Sequence, residues 1–373
     1  MPYRMNLHRN EESWVLRLLR LDLPLLLGLL LLSGLGLTVL YSAGQQNMDL
    51  VVGQGMRLGL GFAIMLTLAQ LPPRYFRFWS PWIYLVGILL LLAVMVFGDV
   101  SKGAQRWLDL GVVRFQPSEI MKLAVPMMMG WFFAEKPLPP RWLHLLGGAL
   151  ITAIPFILIA EQPDLGTALV VGSAGAFALF LAGLSWLIMC VLAGLLCAAI
   201  PLFWTFIMHD YQRQRVLTFL DPETDPLGTG YHIIQSKIAI GSGGIYGKGW
   251  LNGTQSHLDF LPEGSTDFIF AAFLEEFGLV GGGLLLTLYF FIITRALYMA
   301  SRAPDTYTRL LAGSLTLIFF LYAFVNTGMV SGLLPVVGLP LPLFSYGGTS
   351  LVTIMAGFGI LMSIYSHRRT LTR

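Results

Sequence analysis

Long, nearly uninterrupted apolar runs are the feature that most constrains how this chain can fold. A helix needs about 20 apolar residues to cross the hydrocarbon core of a bilayer. Ten runs of roughly that length occur, at 21–41, 51–71, 80–98, 118–134, 142–160, 165–184, 186–208, 268–294, 308–331 and 343–366. They lack the two-residue alternation of a membrane barrel, and lipid cannot hydrogen-bond an exposed backbone. The sequence therefore predicts an all-α polytopic membrane protein with ten transmembrane helices.

The composition excludes the other common classes of protein. Of the 373 residues, 56% are hydrophobic and only 12% are charged, whereas soluble domains carry about 25% charged residues. A soluble chain of this length could not bury so much apolar surface. The net charge of +3 gives no reason to expect nucleic acid as a partner. The two cysteines, Cys190 and Cys197, lie too far apart along one predicted helix to form a disulfide.

The distribution of basic residues predicts the orientation, because lysine and arginine accumulate in cytoplasmic loops. With the N-terminus inside, fourteen basic residues fall in cytoplasmic segments and seven in two outer loops. We therefore expect one membrane domain over 1–373, with cytoplasmic tails at 1–20 and 367–373. Residues 209–267, between helices 7 and 8, would form a large extracytoplasmic loop. Within it, 230–239 has the pattern of a short amphipathic helix lying on the membrane.

Charges inside the apolar runs are the first candidates for function, since an ionisable group in a membrane span is costly. Glu119 and Lys122 lie three residues apart, so they share one face of the fourth helix. The other charges are Arg57, Glu161, Asp164, Glu275 and Glu276. Mutual neutralisation is one interpretation. A polar cavity that opens outward is the other, and the concentration of these groups near the outer half favours it.

A glycine-rich stretch at 241–249 looks like a phosphate loop but fails the pattern. Ser242 occupies the position of the required first glycine, and neither serine nor threonine follows Lys248. The stretch also falls outside the predicted cytoplasm, so we expect no nucleotide. Its backbone amides could still hold an anion. A flexible turn over the membrane explains the glycines equally well.

The outer loop ends in the segment 260–270, which places Asp267 at the water–lipid boundary where the eighth helix begins. Thr266 or Asp267 could cap that helix. Alternatively, Asp267 is a carboxylate held in a partly desolvated site, where it can act as a base. Further along, proline and glycine at 332–335 and 338–342 break the helical pattern. Broken backbone at membrane depth is tolerated only where it is buried in protein or lines a cavity.

Together these segments resemble the SEDS family, named for shape, elongation, division and sporulation. The resemblance covers residues 24–367. It rests on K-G-A-Q-R-W at 102–107, F-Q-P-S-E at 115–119, Q-P-D-L-G-T at 162–167, Y-H-I-I-Q-S at 231–236, G-S-G-G at 241–244, the segment 260–270 and G-L-P-L-P at 338–342. Each motif alone is weakly specific, whereas the set is highly specific.

The resemblance implies a peptidoglycan glycosyltransferase on the outer face of the bacterial cytoplasmic (inner) membrane, active during cell elongation. It implies lipid II as the substrate and a glycan strand as the product. It also implies a class B penicillin-binding protein, a transpeptidase, as partner, together with the wider elongation machinery. Asp267 matches the family's essential carboxylate, and we expect it to be the general base in an inverting reaction. Gly264 and Ser265 depart from the larger or basic residues of close relatives, so neither side chain is given a role.

Departure of a pyrophosphate requires cations that are fixed in advance. The outer loops supply six candidates, Lys102, Arg106, Arg114, Arg213, Arg215 and Lys248. Mg²⁺ or Mn²⁺ could assist, but the identity of any metal and its ligands is unknown. The candidates for lining or ordering the cavity are Arg57, Glu119, Lys122, Asp164, Glu263 and Glu276. The isoprenoid tail would lie in an apolar groove between helices, in contact with membrane lipid.

Two other functions use the same features. A lipid II flippase would need gating groups that can be reached from both faces, but the inner connections are short and 183–187 carries no charge. A non-enzymatic scaffold for the transpeptidase would tolerate asparagine at Asp267 as long as the complex assembled. The crowding of polar groups on the outer side favours catalysis on one face.

Overall fold

The computed structural model describes residues 21–101, 104–109, 114–208, 210–224, 228–257 and 263–367, and these ranges are mostly helical. The α-helices are α1 (Leu23–Ala43), α2 (Met48–Gln70), α3 (Pro73–Phe97), α4 (Pro117–Phe133), α5 (Trp142–Glu161), α6 (Leu165–Leu181), α7 (Trp186–Leu202), α8 (Asp210–Leu220), α9 (Thr229–Gly243), α10 (Thr254–His257), α11 (Ile269–Ser301), α12 (Thr306–Val330) and α13 (Thr349–His367). A π-turn (Phe203–Ile207) follows α7, and a 3-10 turn (Pro222–Thr224) follows α8.

Seven helices in the described ranges are long and apolar enough to cross a membrane, namely α1, α2, α3, α5, α11, α12 and α13. The prediction of a helical, multi-pass membrane protein is therefore confirmed. The other three predicted spans fall on α4, α6 and α7, which have 17 residues each. Seventeen residues reach about 25 Å, slightly less than the hydrocarbon core. The count of ten crossings therefore stays a prediction.

The buried centre of the bundle is formed around α12. This helix packs against α4, α6, α11 and α13. Its buried residues include Tyr307 and Tyr322. By contrast, α3 and α5 expose large side chains such as Trp82 and Leu150 on the side that faces away from the bundle. This arrangement is expected when lipid rather than water surrounds the outer helices.

A small antiparallel sheet lies between α3 and α4, and the sequence analysis did not predict it. Its strands are β1 (Asp99–Ser101), β2 (Ala104–Asp109) and β3 (Arg114–Phe115), in the order β1-β2-β3. Because the sheet precedes α4 directly, it brings Arg106 on β2 close to the beginning of that helix.

The described part of 209–267 contains α8, α9 and α10. The prediction of a helix at 230–239 is confirmed, since α9 includes it. One side of α9, with Ile233, Ser236 and Ala239, is buried. The Ser236 hydroxyl donates to the Val330 carbonyl at the end of α12 (2.7 Å). The helix also packs against α11, so the bundle itself holds α9 in place.

α11 is broken near its beginning. Gly278 has φ 63° and ψ −165°, a conformation that side chains rarely adopt. A Cβ atom there would also lie 2.4 Å from the amide nitrogen of Gly247. The break divides α11 into a short first half, residues 269–277, and a longer second half, residues 279–301.

The glycine-rich stretch 241–249 packs against this break and forms hydrogen bonds with the backbone groups that the break leaves unpaired. Backbone hydrogen bonds run from Lys248 N to Glu275 O (3.0 Å), Gly249 N to Glu276 O (2.9 Å), Leu279 N to Gly244 O (3.0 Å) and Val280 N to Ile245 O (3.0 Å). The suggestion that these amides hold an anion is therefore wrong for Lys248 and Gly249, because both donate to carbonyls of α11. The glycines are needed because two backbones approach closely here.

The two ends of α1 are joined to α11 by hydrogen bonds, one on each side of the break at Gly278. At the first end, Asp22 caps α1 through Leu25 N (3.1 Å) and accepts a paired contact from Arg295 Nε (3.0 Å) and Nη2 (2.6 Å). At the other end, the Ser42 hydroxyl donates to Glu276. α1 has 21 residues and is therefore about 31 Å long, the thickness of a bilayer core.

We expect Asp22→Ala to lower the free energy of unfolding by about 2–4 kcal/mol. The cap contributes about 1 kcal/mol and hydrogen bonds to a charged group contribute about 1.5–3 kcal/mol. Asp22→Asn is the matched variant, because asparagine keeps the cap but loses the charge, so its loss should be smaller. Thermal unfolding of purified protein in detergent measures both. Equal losses in the two variants would contradict the capping role, and an unchanged stability of Asp22→Asn would contradict this account of Arg295.

Candidate functional site

Asp267 lies in a tight turn that leads into α11. The carbonyl of Glu263 accepts from Thr266 N (3.0 Å) and Phe268 N (3.2 Å), and Glu263 itself has φ 56°. The Thr266 hydroxyl donates to the Glu263 carboxylate (2.6 Å). The N-cap of α11 is Phe268, without a side-chain cap hydrogen bond. The expectation that Thr266 or Asp267 caps this helix is therefore wrong, because the turn closes one residue later than predicted.

A buried asparagine joins this turn to the segment 338–342. The Asn326 amide nitrogen donates to the carbonyls of Asp267 and Leu339, both at 2.8 Å. Gly338, the residue before Leu339, has φ 77°, and a Cβ there would lie 3.5 Å from Asp267 Oδ2. Two segments that the sequence analysis singled out therefore meet at the Asp267 carboxylate.

The beginning of α6 packs against the same loop from another side. A Cβ on Gly166 would lie 2.8 Å from the Val337 carbonyl. Asp164 caps α6 through Thr167 N (3.3 Å) and accepts from the Gln116 side chain (2.9 Å). The motifs at 115–119 and 162–167 are thus linked directly, and the second of them adjoins the loop beside Asp267.

Arg106 lies next to Asp164. Its Nη1 is 3.8 Å from Asp164 Oδ1, and its Nη2 donates to the Pro163 carbonyl. The side chain is one-third exposed, and its Nε is buried without a hydrogen-bond partner in the described structure. Arg106 is therefore a partly exposed cation with unused donor capacity at the edge of the site.

Arg57 approaches the Asp267 turn through Tyr346. Its guanidinium lies 4.4 Å from the centre of the Tyr346 ring, and Tyr346 N donates to the Ser265 carbonyl (2.9 Å). Gln54, one turn earlier on α2, donates to Ser345 O (3.1 Å). Ser265 therefore takes part through its backbone carbonyl. Tyr346 lies between Arg57 and the Asp267 turn.

His232 is a site neighbour that the sequence analysis named only within a motif. Its ring stacks on Phe268, the residue after Asp267, with ring centres 5.7 Å apart and planes at 15°. Its Nδ1 is buried without a hydrogen-bond partner in the described ranges. Asn326 is a second site neighbour that the sequence does not reveal, because an uncharged amide in an apolar span gives no signal of the kind that an ionisable group gives.

Glu119 and Lys122 form a buried ion pair at 2.7 Å, and Lys122 also donates to the Tyr322 hydroxyl. The interpretation of mutual neutralisation is confirmed for this pair. A small cavity lies beside Lys122, lined largely by apolar side chains of α12 and α13 such as Phe319 and Phe358. The pair joins α4 to α12, the helix that carries Asn326.

Lys248 and Glu276 contact the break in α11. Lys248 Nζ lies 2.6 Å from Glu275 and donates to the Thr254 hydroxyl (2.8 Å). Glu276 accepts from Ser42. Lys248, a predicted phosphate ligand, is thus engaged by a buried carboxylate that fixes the glycine-rich stretch.

The other predicted cations are less informative. Arg213 on α8 donates to the Thr205 carbonyl (3.2 Å). Lys102 and the side chains of Arg114 and Arg215 lie outside the described part of the structure. Within the described ranges, no group of three or more His, Cys, Asp or Glu side chains could hold a metal ion. Participation of Mg²⁺ or Mn²⁺ therefore stays a prediction.

Comparison with known proteins identifies the family. The model of the FtsW, RodA and SpoVE cell cycle proteins matches residues 15–370. The chain therefore belongs to this family, which is the SEDS family of the sequence analysis. It is 55% identical to the peptidoglycan glycosyltransferase MrdB of Escherichia coli K12 over 353 residues, 95% of each chain. It is 32% identical to the peptidoglycan glycosyltransferase RodA of Treponema pallidum, covering 92% of this chain and 97% of the relative.

Solved structures agree with this assignment. One similar chain comes from a peptidoglycan synthase complex that coordinates polymerization and crosslinking. It has a TM-score of 0.81 and 35% identity, covering 93% of this chain and 98% of that chain. Another is the rod shape determining protein RodA of Thermus thermophilus, with a TM-score of 0.71, 30% identity and coverage of 93% and 97%.

Proposed function

We propose that this chain is a peptidoglycan glycosyltransferase that polymerises lipid II into glycan strands during cell elongation. The activity is that of curated relatives which are 55% identical over nearly the whole chain. The observation that carries the site assignment is the convergence on Asp267. Gly338 lies beside its carboxylate, Asn326 donates to its carbonyl, and α6 packs behind the 337–339 loop.

The proposed topology has ten membrane helices in the bacterial inner membrane, both termini in the cytoplasm and 209–267 outside. The contacts at the two ends of α1 support it. The pair Asp22–Arg295 and the pair Ser42–Glu276 are separated by one bilayer thickness. Asp267 then belongs to the same half of the bundle as Glu276, on the outer side.

In the proposed reaction, the Asp267 carboxylate takes the proton from the 4-hydroxyl of the acceptor sugar. That oxygen attacks the anomeric carbon of the donor, and the pyrophosphate leaves from the opposite face with inversion. The carboxylate lies close to the N-terminal end of the half-helix 269–277, where a negative charge is favoured. A positioned general base typically contributes about 10²–10⁴-fold to the rate.

Cations at the edge of the site stabilise the leaving pyrophosphate in this mechanism. Arg106 is the best placed of the described candidates, because its side chain is one-third exposed and lies next to Asp164 at the beginning of α6. Lys102, Arg114, Arg213 and Arg215 remain candidates, and Mg²⁺ or Mn²⁺ is an optional addition. Lys248 is less suited, since Glu275 and Thr254 already engage its ammonium group.

The proposed partner is a class B penicillin-binding protein, with the wider elongation machinery around it. Support comes from the similar chain in a peptidoglycan synthase complex, whose description couples polymerization to crosslinking. Lipid II would supply both the donor and the acceptor sugars, with its isoprenoid tail in the membrane beside the helices.

Proteoliposomes that contain lipid II and the purified chain, with its partner, distinguish the three functions. Strand formation measured on gels, together with transbilayer movement of labelled lipid II, gives two independent readouts. A polymerase makes strands. A flippase moves lipid II without making strands, and a scaffold does neither, so either of these results would contradict the proposal.

We expect Arg106→Ala to slow strand synthesis by about 10²-fold, the effect typical of losing one donor to a developing negative charge. Arg106→Lys should recover part of the rate, because lysine keeps the charge but loses the paired geometry. Arg77→Ala is the matched control, since Arg77 is an exposed arginine paired with Glu135 elsewhere. A normal rate for Arg106→Ala would remove this arginine from the proposed mechanism.

A further inference from the structure

Asn326 is a fully buried amide on α12 that connects two segments of the site. Both of its described hydrogen bonds come from one NH₂ group, and both acceptors are backbone carbonyls, those of Asp267 and Leu339. The two carbonyls belong to segments that are far apart in the sequence.

The oxygen of the Asn326 amide shows that this side chain is not a simple packing residue. Asn326 Oδ1 is buried and has no hydrogen-bond partner in the described part of the chain. A buried acceptor without a partner is costly, and a leucine would fill the same volume without that cost. The side chain is therefore not explained by packing. Its two donated hydrogen bonds are what an apolar residue could not supply.

The residues around Asn326 indicate that its hydrogen bonds set the position of the Asp267 turn. The 337–339 loop is fixed on its far side by α6, because Gly166 meets the Val337 carbonyl in close contact. On its near side, the loop faces the Asp267 carboxylate, since a Cβ on Gly338 would lie 3.5 Å from Asp267 Oδ2. With the loop held by α6, the Asn326 amide sets how far the Asp267 turn stands from it. Small changes in this separation would move the carboxylate relative to a bound acceptor.

We propose that Asn326 is a positioning residue, which holds the Asp267 turn at a fixed distance from the Gly338 turn so that the carboxylate meets the acceptor hydroxyl. This inference rests on the proposed function, in which Asp267 is the base. A misplacement of about 1 Å at a reacting group can cost about 10²-fold in rate. Asn326 itself does not touch substrate in this arrangement.

The test is Asn326→Leu, which keeps the volume and removes both donors. We expect kcat to fall about 10- to 100-fold while KM for lipid II changes less than about threefold, because the acceptor still binds but meets a displaced base. Ser314→Ala is the matched control, since Ser314 is a buried residue of α12 whose hydroxyl also lacks a described partner. It should leave both constants unchanged.

A second variant keeps the result interpretable if leucine impairs folding. Asn326→Asp has the same shape and, when ionised, cannot donate. Rates of both variants are normalised to protein that binds the transpeptidase partner. If either variant that folds turns over at the wild-type kcat, the inference is overturned. A rise in KM with kcat unchanged would overturn it too, because this would indicate a binding role.

A double-variant cycle separates this inference from the proposed function. Asp267→Glu retains a carboxylate but displaces it, so adding Asn326→Leu to it should cost only a few-fold more. A full 10- to 100-fold further loss would overturn the positioning role. If Asp267→Asn retained wild-type activity, the assignment of the base itself would fail, whatever Asn326→Leu did. If Asp267→Asn is inactive and Asn326→Leu is normal, only the positioning role fails.

Discussion

Asp267→Asn is expected to lower the rate of glycan strand synthesis by about 10²–10⁴-fold, the contribution of a positioned general base. Asparagine preserves the size of the side chain and cannot accept the proton. The backbone contacts that hold the turn, including the hydrogen bond from Asn326 to the Asp267 carbonyl, do not involve the carboxylate. The variant should therefore fold and bind its partner normally.

The measurement is strand length and yield from purified lipid II, with equal amounts of the partner complex in each reaction. Glu135→Gln is the matched control, because Glu135 is an exposed carboxylate paired with Arg77 and distant in sequence from the site motifs. It should retain full activity. Wild-type yield from Asp267→Asn would contradict the assignment and redirect the search for a base to Asp164, Glu263 and Glu119.

Lys248→Met is expected to lower the free energy of unfolding by about 3 kcal/mol. Removing one partner of a buried ion pair typically costs about 3–5 kcal/mol, and the lower end applies because Lys248 is a quarter exposed. Glu275 is completely buried, and the substitution leaves its charge without a counter-charge. The loss should appear as a lower midpoint in thermal unfolding of protein in detergent.

The double variant Lys248→Met with Glu275→Leu provides the control for this prediction. Replacing a whole buried pair by apolar residues is often close to neutral, so the double variant should be more stable than Lys248→Met alone. Equal or greater destabilisation of the double variant would show that the backbone contacts of the glycine-rich stretch, rather than the ion pair, stabilise the break in α11.

The length of the apolar runs made the helical architecture predictable. Each of the ten apolar runs falls on a helix, because a backbone in lipid has few other ways to satisfy its hydrogen bonds. The same reasoning identified Glu119 and Lys122, since a charge in a membrane helix is rarely without a partner. Asp267 was found by the resemblance and by its place at the beginning of a helix, and neither required coordinates.

The features that were missed depend on contacts between distant segments. Gly278 lies in a glycine-containing apolar run, where glycine is common, and only the packing of residues 241–249 makes the break evident. The sheet that carries Arg106 consists of strands too short to show a period. Asn326 carries no charge, so the cost of burying it was not considered. Its importance follows from its bonds to Asp267 and Leu339.

The central claim is that Asp267 acts in the chemical step and not in binding. A single-turnover experiment tests it most directly, with labelled lipid II bound first and the rate of the first glycosidic bond measured afterwards. We predict that Asp267→Asn binds lipid II with wild-type affinity, while the rate of bond formation falls by about 10²–10⁴-fold. Weaker binding of lipid II with an unchanged rate of bond formation would contradict the account.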